Sequence, residues 1–285
     1  MALVQDILSA FPNNHLVGSP VKKNLSSGAH PLSTFPNDHF RGSSAAAPPV
    51  WAASQASHPV ATLRAKVEAT NWEELFTEGQ TKMRAEASWS AGTERCELLR
   101  LLCAMSGAER VLEVGAFCGV ASLNMAETLP EGGEVVALEV DPFMMDFGRQ
   151  VRAGAGATGQ KISHLVGFAA DSLKDLAERA AAGKIRPFNL ALIDANKAGM
   201  RSYLELLLSS PGLLSEEATI CIDVTPFKGQ PPLRYIRFGQ ADKWVVPSGQ
   251  DEIDALRASV KDLAIYDVHE TGGLIILRRK QAQQL

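Results

Sequence analysis

The chain has 285 residues, of which 46% are hydrophobic and 21% are charged, and its formal net charge is −4. This composition is typical of a soluble globular protein, and the length suits one large domain with a tail. The negative charge argues against a nucleic-acid partner, and no apolar run approaches the ~20 residues that span a bilayer. None of the 4 cysteines forms a CxxC pair, which favours reduced thiols in a cytoplasmic protein.

The first 55 residues differ in composition from the rest of the chain. They are rich in Ser, Pro, Ala and Asn, and few apolar residues recur at a regular spacing. We therefore predict a disordered leader over residues 1–55 and a single folded domain over residues 56–285. A transit peptide, and with it a plastid location, is the alternative, because acidic residues are scarce there. Arg41 is the only arginine of the leader, however, and the amphipathic pattern is poor.

From residue 58 onwards, hydrophobic spacing predicts helices and strands in alternation. The predicted helices cover Ala61–Glu68, Thr93–Met105, Val120–Leu129, Pro142–Ala153, Ser172–Ala182, Arg201–Ser209 and Glu252–Leu263. The predicted strands cover Val111–Val114, Glu134–Val140, Ile162–Val166, Leu190–Ile193, Thr219–Ile222, Ala264–Val268 and Leu274–Leu277. In the second helix, the expected buried stripe consists of Leu98, Leu99, Leu101, Leu102 and Met105.

The order of these elements predicts the fold. Alternating strands and helices are typical of a parallel sheet that is covered on both faces. The last two strands are joined only by a short turn at Gly272-Gly273, so they form a hairpin and one edge strand must run antiparallel. We therefore predict an α/β Rossmann-like fold of the class I methyltransferase type, because the dehydrogenase form of this sheet has no such ending.

The strongest local signal is the segment Glu113–Gly119, which joins a strand to a helix. Gly115 has no Cβ, so the backbone can lie against a ligand there, and the next helix points its N-terminus at the same spot. Glu139 ends the following strand, where a carboxylate can accept hydrogen bonds from both ribose hydroxyls. These residues predict a nucleoside ligand.

Two nucleoside cofactors fit this pattern unequally. An NAD loop has a GxGxxG spacing, whereas the glycines here are four apart. Glu113 would repel a pyrophosphate but suits the ammonium of an amino acid, which S-adenosylmethionine (SAM) carries. SAM is therefore favoured, and an NAD-dependent dehydrogenase remains the alternative. A third interpretation, in which the glycines only make a tight turn, explains neither Glu113 nor Glu139.

Two aspartates close the fourth and fifth strands, Asp194 and Asp223. The carboxyl ends of neighbouring parallel strands converge on one crevice, where two carboxylates are suited to Mg²⁺ or Ca²⁺. Such a cation would chelate two neighbouring hydroxyls and lower the pKa of one of them. Lys197, one turn from Asp194, is a candidate general base or electrostatic aid. The alternative is that the aspartates are only a helix N-cap and a turn residue.

Residues from about 58 to 280 resemble the caffeoyl-CoA-type O-methyltransferases, a cation-dependent branch of the class I enzymes. The segments that carry the resemblance are Leu112–Gly115 with Gly119, Leu192–Lys197, Ile222–Asp223 and Gly273–Arg279. Within that family, the chain is most similar to the demethyl-4-deoxygadusol O-methyltransferases of mycosporine biosynthesis. The segments that indicate this are Trp72–Thr81, Asn124–Pro130 and Leu138–Asp141.

The resemblance implies methyl transfer from SAM to one hydroxyl of a small acceptor with neighbouring oxygens, such as a catechol or an enediol, in a homodimer. It places SAM contacts on Glu113, Gly115, Phe117, Gly119, Ser122, Glu139, Ala169 and Asp194. It places the metal on Asp194, Asp223 and the residue after Asp223, and it makes Lys197 and Asp194 the catalytic residues.

The chain departs from the family pattern at the implied metal site. Val224 stands where the family has Asn, and Asn196 stands where an aspartate is usual. An isopropyl group cannot coordinate a cation, so one protein ligand is missing. Three alternatives follow: Thr225 or water completes the metal site, the enzyme works without metal, or the chain is a catalytically silent SAM-binding relative that acts through its dimer or a partner.

Overall fold

The computed structural model describes residues 58–226 and 249–280. The predicted leader lies outside these residues, so the domain boundary at residue 55 stays a prediction. Within the described ranges, none of the helices combines the length and apolar character that crossing a bilayer requires.

The described chain contains helices and strands in regular alternation. The α-helices are α1 (Pro59–Glu68), α2 (Trp72–Thr77), α3 (Thr93–Met105), α4 (Val120–Thr128), α5 (Pro142–Gly154), α6 (Ala157–Gln160), α7 (Ala169–Ala181), α8 (Lys197–Ser209) and α9 (Gln250–Lys261), and a 3-10 turn covers Ala87–Trp89. The strands are β1 (Arg110–Val114), β2 (Glu134–Glu139), β3 (Ile162–Val166), β4 (Phe188–Ile193), β5 (Leu214–Asp223), β6 (Tyr266–Thr271) and β7 (Leu274–Arg279). Each predicted strand overlaps one of these.

The 7 strands form one sheet in the order β3-β2-β1-β4-β5-β7-β6. The first five are parallel, whereas β7 runs antiparallel to β5 and pairs with β6 in a hairpin. This confirms the predicted methyltransferase form of the Rossmann-like sheet. The strand order reverses between β1 and β4, and in such sheets a ligand crevice opens there, outside the carboxyl ends of the strands.

The sheet is buried on both faces, as its apolar strands require. Along β1, Leu112 and Val114 pack on the face covered by α7, α8 and α9, while Val111 packs on the opposite face with α3 and α4. This alternation with a period of two is the expected consequence of strand geometry. The same alternation leaves Glu113 buried, at 1% exposure, near the carboxyl end of β1.

The buried stripe predicted for α3 was wrong in part, since Leu98 and Leu102 pack against the core but are only partly buried. Of its five members, Leu99 alone is buried, while Leu101 is 54% exposed and Met105 is 70% exposed. The covered face instead carries Cys96, Leu99 and Cys103, which are spaced i, i+3 and i+7. The predicted stripe is too wide for one face of a helix, and the sheet covers only the side that these three share.

Candidate active site

The loop between β1 and α4 is held against the end of β4. Gly115 has a φ of +92°, and a Cβ added there would lie 2.1 Å from the carbonyl oxygen of Asp194. The backbone N–H of Asp194 donates to the carbonyl of Val114 at 2.9 Å, which keeps the two strand ends together. Only glycine permits both this φ and this approach. The close approach of the Asp194 backbone therefore requires glycine at position 115, and the contact of Gly115 with a ligand stays a prediction.

Phe117, in the middle of this loop, adopts a φ of +49°, which is uncommon for a residue with a side chain. Its ring packs between the rings of Trp72 and Trp89, at centroid distances of 5.2 and 5.9 Å. Gly119 then turns the chain into α4 with a φ of +85°. The aromatic packing fixes a strained loop, and strained backbone of this kind clusters at ligand sites.

Glu139 ties the loop to the next strand. Its Oε2 accepts a hydrogen bond from the backbone N–H of Phe117 at 2.8 Å, and its Oε1 accepts from the N–H of Asp141 at 2.9 Å. Burial raises the pKa of the Glu139 carboxyl, and these backbone hydrogen bonds oppose that rise. The N–H of Gly167 donates to the Glu139 carbonyl, which brings Ala169, at the start of α7, to the same edge of the sheet.

Glu113 lies at the centre of the crevice. The hydroxyl of Ser122 donates a hydrogen bond to its Oε2. The pKa of Glu113 is raised to about 8, chiefly by burial and in smaller part by the charges of Asp194 and Glu139, while the hydrogen bond from Ser122 opposes the rise. Carboxyl groups from the ends of β1, β2 and β4 thus repel one another within a single crevice. A cationic ligand would relieve this repulsion, and an anionic one would increase it.

Asp194, the third of these acids, sits where β4 gives way to α8. Its pKa is raised to about 7, chiefly by burial and then by the charge of Asp223, while the charges of Lys197 and Arg95 oppose the rise. The N-cap of α8 is Asn196, which makes no side-chain cap. The structure therefore does not support a helix cap as the role of Asp194.

Asp223 is enclosed by positively charged partners. Lys197 Nζ lies 2.5 Å from its Oδ2, and Arg95 Nη2 lies 2.7 Å from its Oδ1. The Thr225 hydroxyl donates to Oδ1 at 2.8 Å. The side chains of Lys197 and Asp223 are only 6% and 8% exposed, so these contacts are shielded from water.

Arg95 was not identified from the sequence as a residue of the site. It is 128 residues away from Asp223 along the chain, and only the packing of α3 beside the β6–β7 turn brings the two together. One signal was present: Arg95 occupies the first turn of α3, where the helix dipole disfavours a cation. A basic residue at that position indicates a carboxylate partner elsewhere in the fold.

The residues present do not complete the implied metal site. Val224 is 2% exposed and packs in the hydrophobic core, so Asp194 and Asp223 are the two carboxylates left from the implied ligand set. In the part of the chain that the structure describes, no group of three or more His, Cys, Asp or Glu side chains is placed to hold a metal ion. Mg²⁺ and Ca²⁺ require six or more oxygen ligands, most of which water would have to supply here.

The fold and the acidic crevice define a Rossmann-like methyltransferase. The model of the O-methyltransferase family matches residues 65–231, and the chain belongs to this family. It is 38% identical over 119 residues to tricin synthase 1 of Oryza sativa subsp. japonica, covering 41% of this chain and 47% of that protein. It is 33% identical over 127 residues to the catechol O-methyltransferase of Niastella koreensis, covering 44% of this chain and 55% of that protein. The chain thus spans about half the length of the curated relatives it matches.

Solved structures show the same fold. The O-methyltransferase TomG from Streptomyces achromogenes, involved in tomaymycin synthesis and solved in complex with SAM, superposes with a TM-score of 0.56 at 20% identity, covering 77% of this chain and 90% of that one. The SAH-bound methyltransferase PaMTH1 from Podospora anserina superposes with a TM-score of 0.55 at 20% identity. The superposition covers 84% of this chain and 100% of that one. At this level of identity, the likeness establishes the fold alone.

Proposed function

We propose that the protein transfers a methyl group from SAM to one hydroxyl of a small molecule that carries neighbouring oxygens. The observation that carries this proposal is the crevice in which Glu113, Glu139 and Asp194 surround a glycine loop. SAM, when bound, supplies a methyl group on a sulfonium, from which an oxygen nucleophile can displace a neutral thioether. Family membership supports the same reaction class.

The electrostatics of the crevice favour SAM over NAD. Glu113 is 1% exposed and Glu139 is 7% exposed, so solvent screens neither carboxyl group from a ligand. SAM presents a sulfonium and an ammonium to these acids, whereas NAD would present a pyrophosphate to Glu113. Both Glu139 oxygens keep an acceptor site beside their backbone hydrogen bonds, which suits ribose hydroxyls.

Methylation of a hydroxyl needs a group that accepts the hydroxyl proton and a positive charge that stabilises the deprotonated oxygen. Asp194, with its pKa raised to about 7 by burial and by Asp223, is suited to accept the hydroxyl proton near neutral pH. Lys197 donates hydrogen bonds to the carboxylate and the carbonyl of Asp223. Its ammonium is therefore placed to stabilise the oxygen that loses its proton, as an electrostatic aid in preference to a general base.

The acceptor that we propose is a catechol or an enediol, and demethyl-4-deoxygadusol is the specific candidate. Both have a second oxygen beside the one that is methylated. The names of the relatives, tricin synthase and catechol O-methyltransferase, support a small oxygen-bearing acceptor. The similarity of Trp72–Thr81 to the mycosporine enzymes supports the enediol.

The test is a product-mass assay. The full chain is incubated with SAM and with either demethyl-4-deoxygadusol or a panel of catechols, and the mass of each acceptor is followed. We expect a gain of one methyl, abolished in Asp194→Asn, whereas Asp175→Asn, at an exposed site on α7, should leave turnover unchanged. Saturable SAM binding without turnover of any acceptor would instead support the silent relative.

We also propose a cytoplasmic homodimer. The support for the dimer is the apolar side chains of Leu101 and Met105, which lie one turn apart on the outer face of α3 and are more than half exposed. Light scattering on Leu101→Glu with Met105→Glu tests this proposal. A monomeric mass for the variant and twice that mass for the wild type are expected, and equal masses would contradict it.

A further inference from the structure

We propose that Arg95 and Lys197, both held on the carboxylate of Asp223, replace a divalent cation, so that the oxyanion of the methyl acceptor is bound by a guanidinium and an ammonium. This inference rests on the proposed function, since it concerns the acceptor of that reaction. It departs from the cation-dependent chemistry that the family resemblance implies.

The Asp223 carboxylate is already fully engaged by protein donors. Arg95 Nη2 and the Thr225 hydroxyl both donate to Oδ1, at 2.7 and 2.8 Å, and Lys197 Nζ donates to Oδ2 at 2.5 Å. Charge-assisted hydrogen bonds of this kind are among the strongest in proteins. A metal ion on Oδ1 would have to displace Arg95 or Thr225, and one on Oδ2 would lie against the Lys197 ammonium, which repels it.

The position of Arg95 is built into the surrounding backbone. Besides Asp223, its Nη2 lies 3.1 Å from the Thr225 hydroxyl and 3.2 Å from each of the carbonyl oxygens of Gly272 and Gly273. Gly273 has a φ of +72°, and a Cβ there would lie 3.1 Å from the same nitrogen. The β6–β7 turn thus closes around the guanidinium, which fixes it at the carboxyl end of β5.

The other terminal nitrogen of Arg95 has an unused donor. Nη1 is buried and has no hydrogen-bond partner among the described residues, which is unfavourable for a charged group. Arg95 also lines a cavity of about 490 Å³ at the N-terminus of α3, together with Gly92, Thr93, Glu94, Leu98 and Gly272. An anionic oxygen that reached Nη1 would satisfy the free donor.

The neighbouring substitutions fit the same replacement. Val224 removes the oxygen ligand that a cation would use, and its own N–H donates to the Gly273 carbonyl at 2.9 Å. Asn196 removes one negative charge beside the site relative to the family pattern. A divalent cation would supply two positive charges, whereas Arg95 supplies one. The site also carries one negative charge fewer than the family pattern, so the two changes balance.

The first test measures metal binding directly. Mn²⁺, a paramagnetic substitute for Mg²⁺, is titrated into the full chain and followed by electron paramagnetic resonance. We expect no saturable site in the wild type, and at least tenfold tighter binding in the double variant Arg95→Gln, Val224→Asn. One Mn²⁺ bound per wild-type chain, and lost in Asp223→Asn, would overturn the proposal. This readout requires no acceptor and no turnover.

The second test measures turnover of catechol with SAM in the presence of EDTA. We expect activity to survive EDTA and to fall about 100- to 1000-fold in Arg95→Gln, the loss typical of removing one oxyanion donor, with partial recovery in Arg95→Lys. The matched control is Arg100→Gln on the exposed side of α3, and an unchanged SAM affinity shows that each variant is folded. Loss of activity with EDTA, or full activity in Arg95→Gln, would overturn the proposal. Failure of the wild type to bind SAM would instead reject the proposed function.

Discussion

The backbone N–H of Phe117 donates a 2.8 Å hydrogen bond to Oε2 of Glu139. This contact joins the strained loop after β1 to the carboxyl end of β2, so the residue expected to bind ribose also holds the cofactor loop in place. The other oxygen of Glu139 accepts from Asp141, whose own carboxylate caps α5 through the N–H of Phe143. The Glu139 carboxylate therefore holds both the loop after β1 and the loop after β2.

Replacing Glu139 by Gln should weaken SAM binding. The amide has one acceptor oxygen, so its NH₂ group must face one of the two backbone N–H donors. Hydrogen bonds to charged groups contribute about 1.5–3 kcal/mol, so we expect a roughly 10- to 100-fold rise in the Kd for SAM, measured by calorimetry. Glu134→Gln, at the opposite end of β2 and paired with Arg110 at 2.8 Å, is the control. Equal effects of the two substitutions would contradict the assigned role of Glu139.

Gly115→Ala should be far more harmful than Gly132→Ala. Both glycines have positive φ, at +92° and +77°, but nothing lies within 4 Å of a Cβ at Gly132, whereas Asp194 O lies 2.1 Å from one at Gly115. Gly132→Ala should lower the free energy of unfolding by roughly 1–2 kcal/mol, the cost of left-handed backbone. Gly115→Ala should cost more and also abolish SAM binding. Urea unfolding and a SAM titration measure both effects, and similar results for the two variants would reject the close approach.

SAM binding should release protons at acidic pH. In the protein without SAM, Glu113 has a pKa of about 8, so it is protonated at about pH 6.5. The α-amino group of SAM is still charged at that pH, because α-amino groups have a pKa of about 7.7–8.0. A bound cation favours the carboxylate, so the proton leaves. Calorimetry in buffers of different ionisation enthalpy counts the protons released. We expect SAM binding to release fewer protons in Glu113→Gln, and the protons that are still released to come from Asp194. Glu109→Gln, on the surface, should release as many protons as the wild type. Proton uptake by the wild type would contradict the acidic crevice.

The same carboxyl group should make stability depend on pH in the absence of SAM. The folded pKa of Glu113 is about 8, above the usual 4.5 of a glutamate carboxyl group. Its contribution is therefore fully present below about pH 4.5 and is lost as the pH rises through about 8, because the folded state retains a proton that the unfolded state releases. Urea unfolding across this range should show a declining free energy of unfolding that is flatter in Glu113→Gln. An equally steep decline in the variant would show that Glu113 is not perturbed by burial.

The sequence was enough to predict where the proposed cofactor residues lie in the fold, because the signals that position them are local. Gly115 and Glu139 sit at the ends of apolar strands, and the strand-to-helix junction reveals where those ends lie. The hairpin at Gly272-Gly273 likewise identified the antiparallel edge. The exposed face of α3 was predicted wrongly, because hydrophobic spacing shows which residues are apolar but not which side the sheet covers.

The acceptor half was harder to predict, because its key contact is non-local. Arg95 and Asp223 come together only when α3 packs beside the end of β5, a contact across 128 residues. Val224 indicated from the sequence that one ligand of the implied metal site is missing, but the sequence did not point to Arg95, which we propose acts in place of the metal. Residues 227–248, which follow the end of β5, lie outside the described residues.

The most direct test of this account is a calorimetric titration of the full chain with SAM and, separately, with NAD⁺. The crevice formed by Glu113, Glu139 and Asp194 predicts one saturable site for SAM and no detectable binding of NAD⁺. Saturable binding of NAD⁺ without binding of SAM would contradict the assignment of this crevice to a cationic cofactor, and with it the proposed methyl transfer.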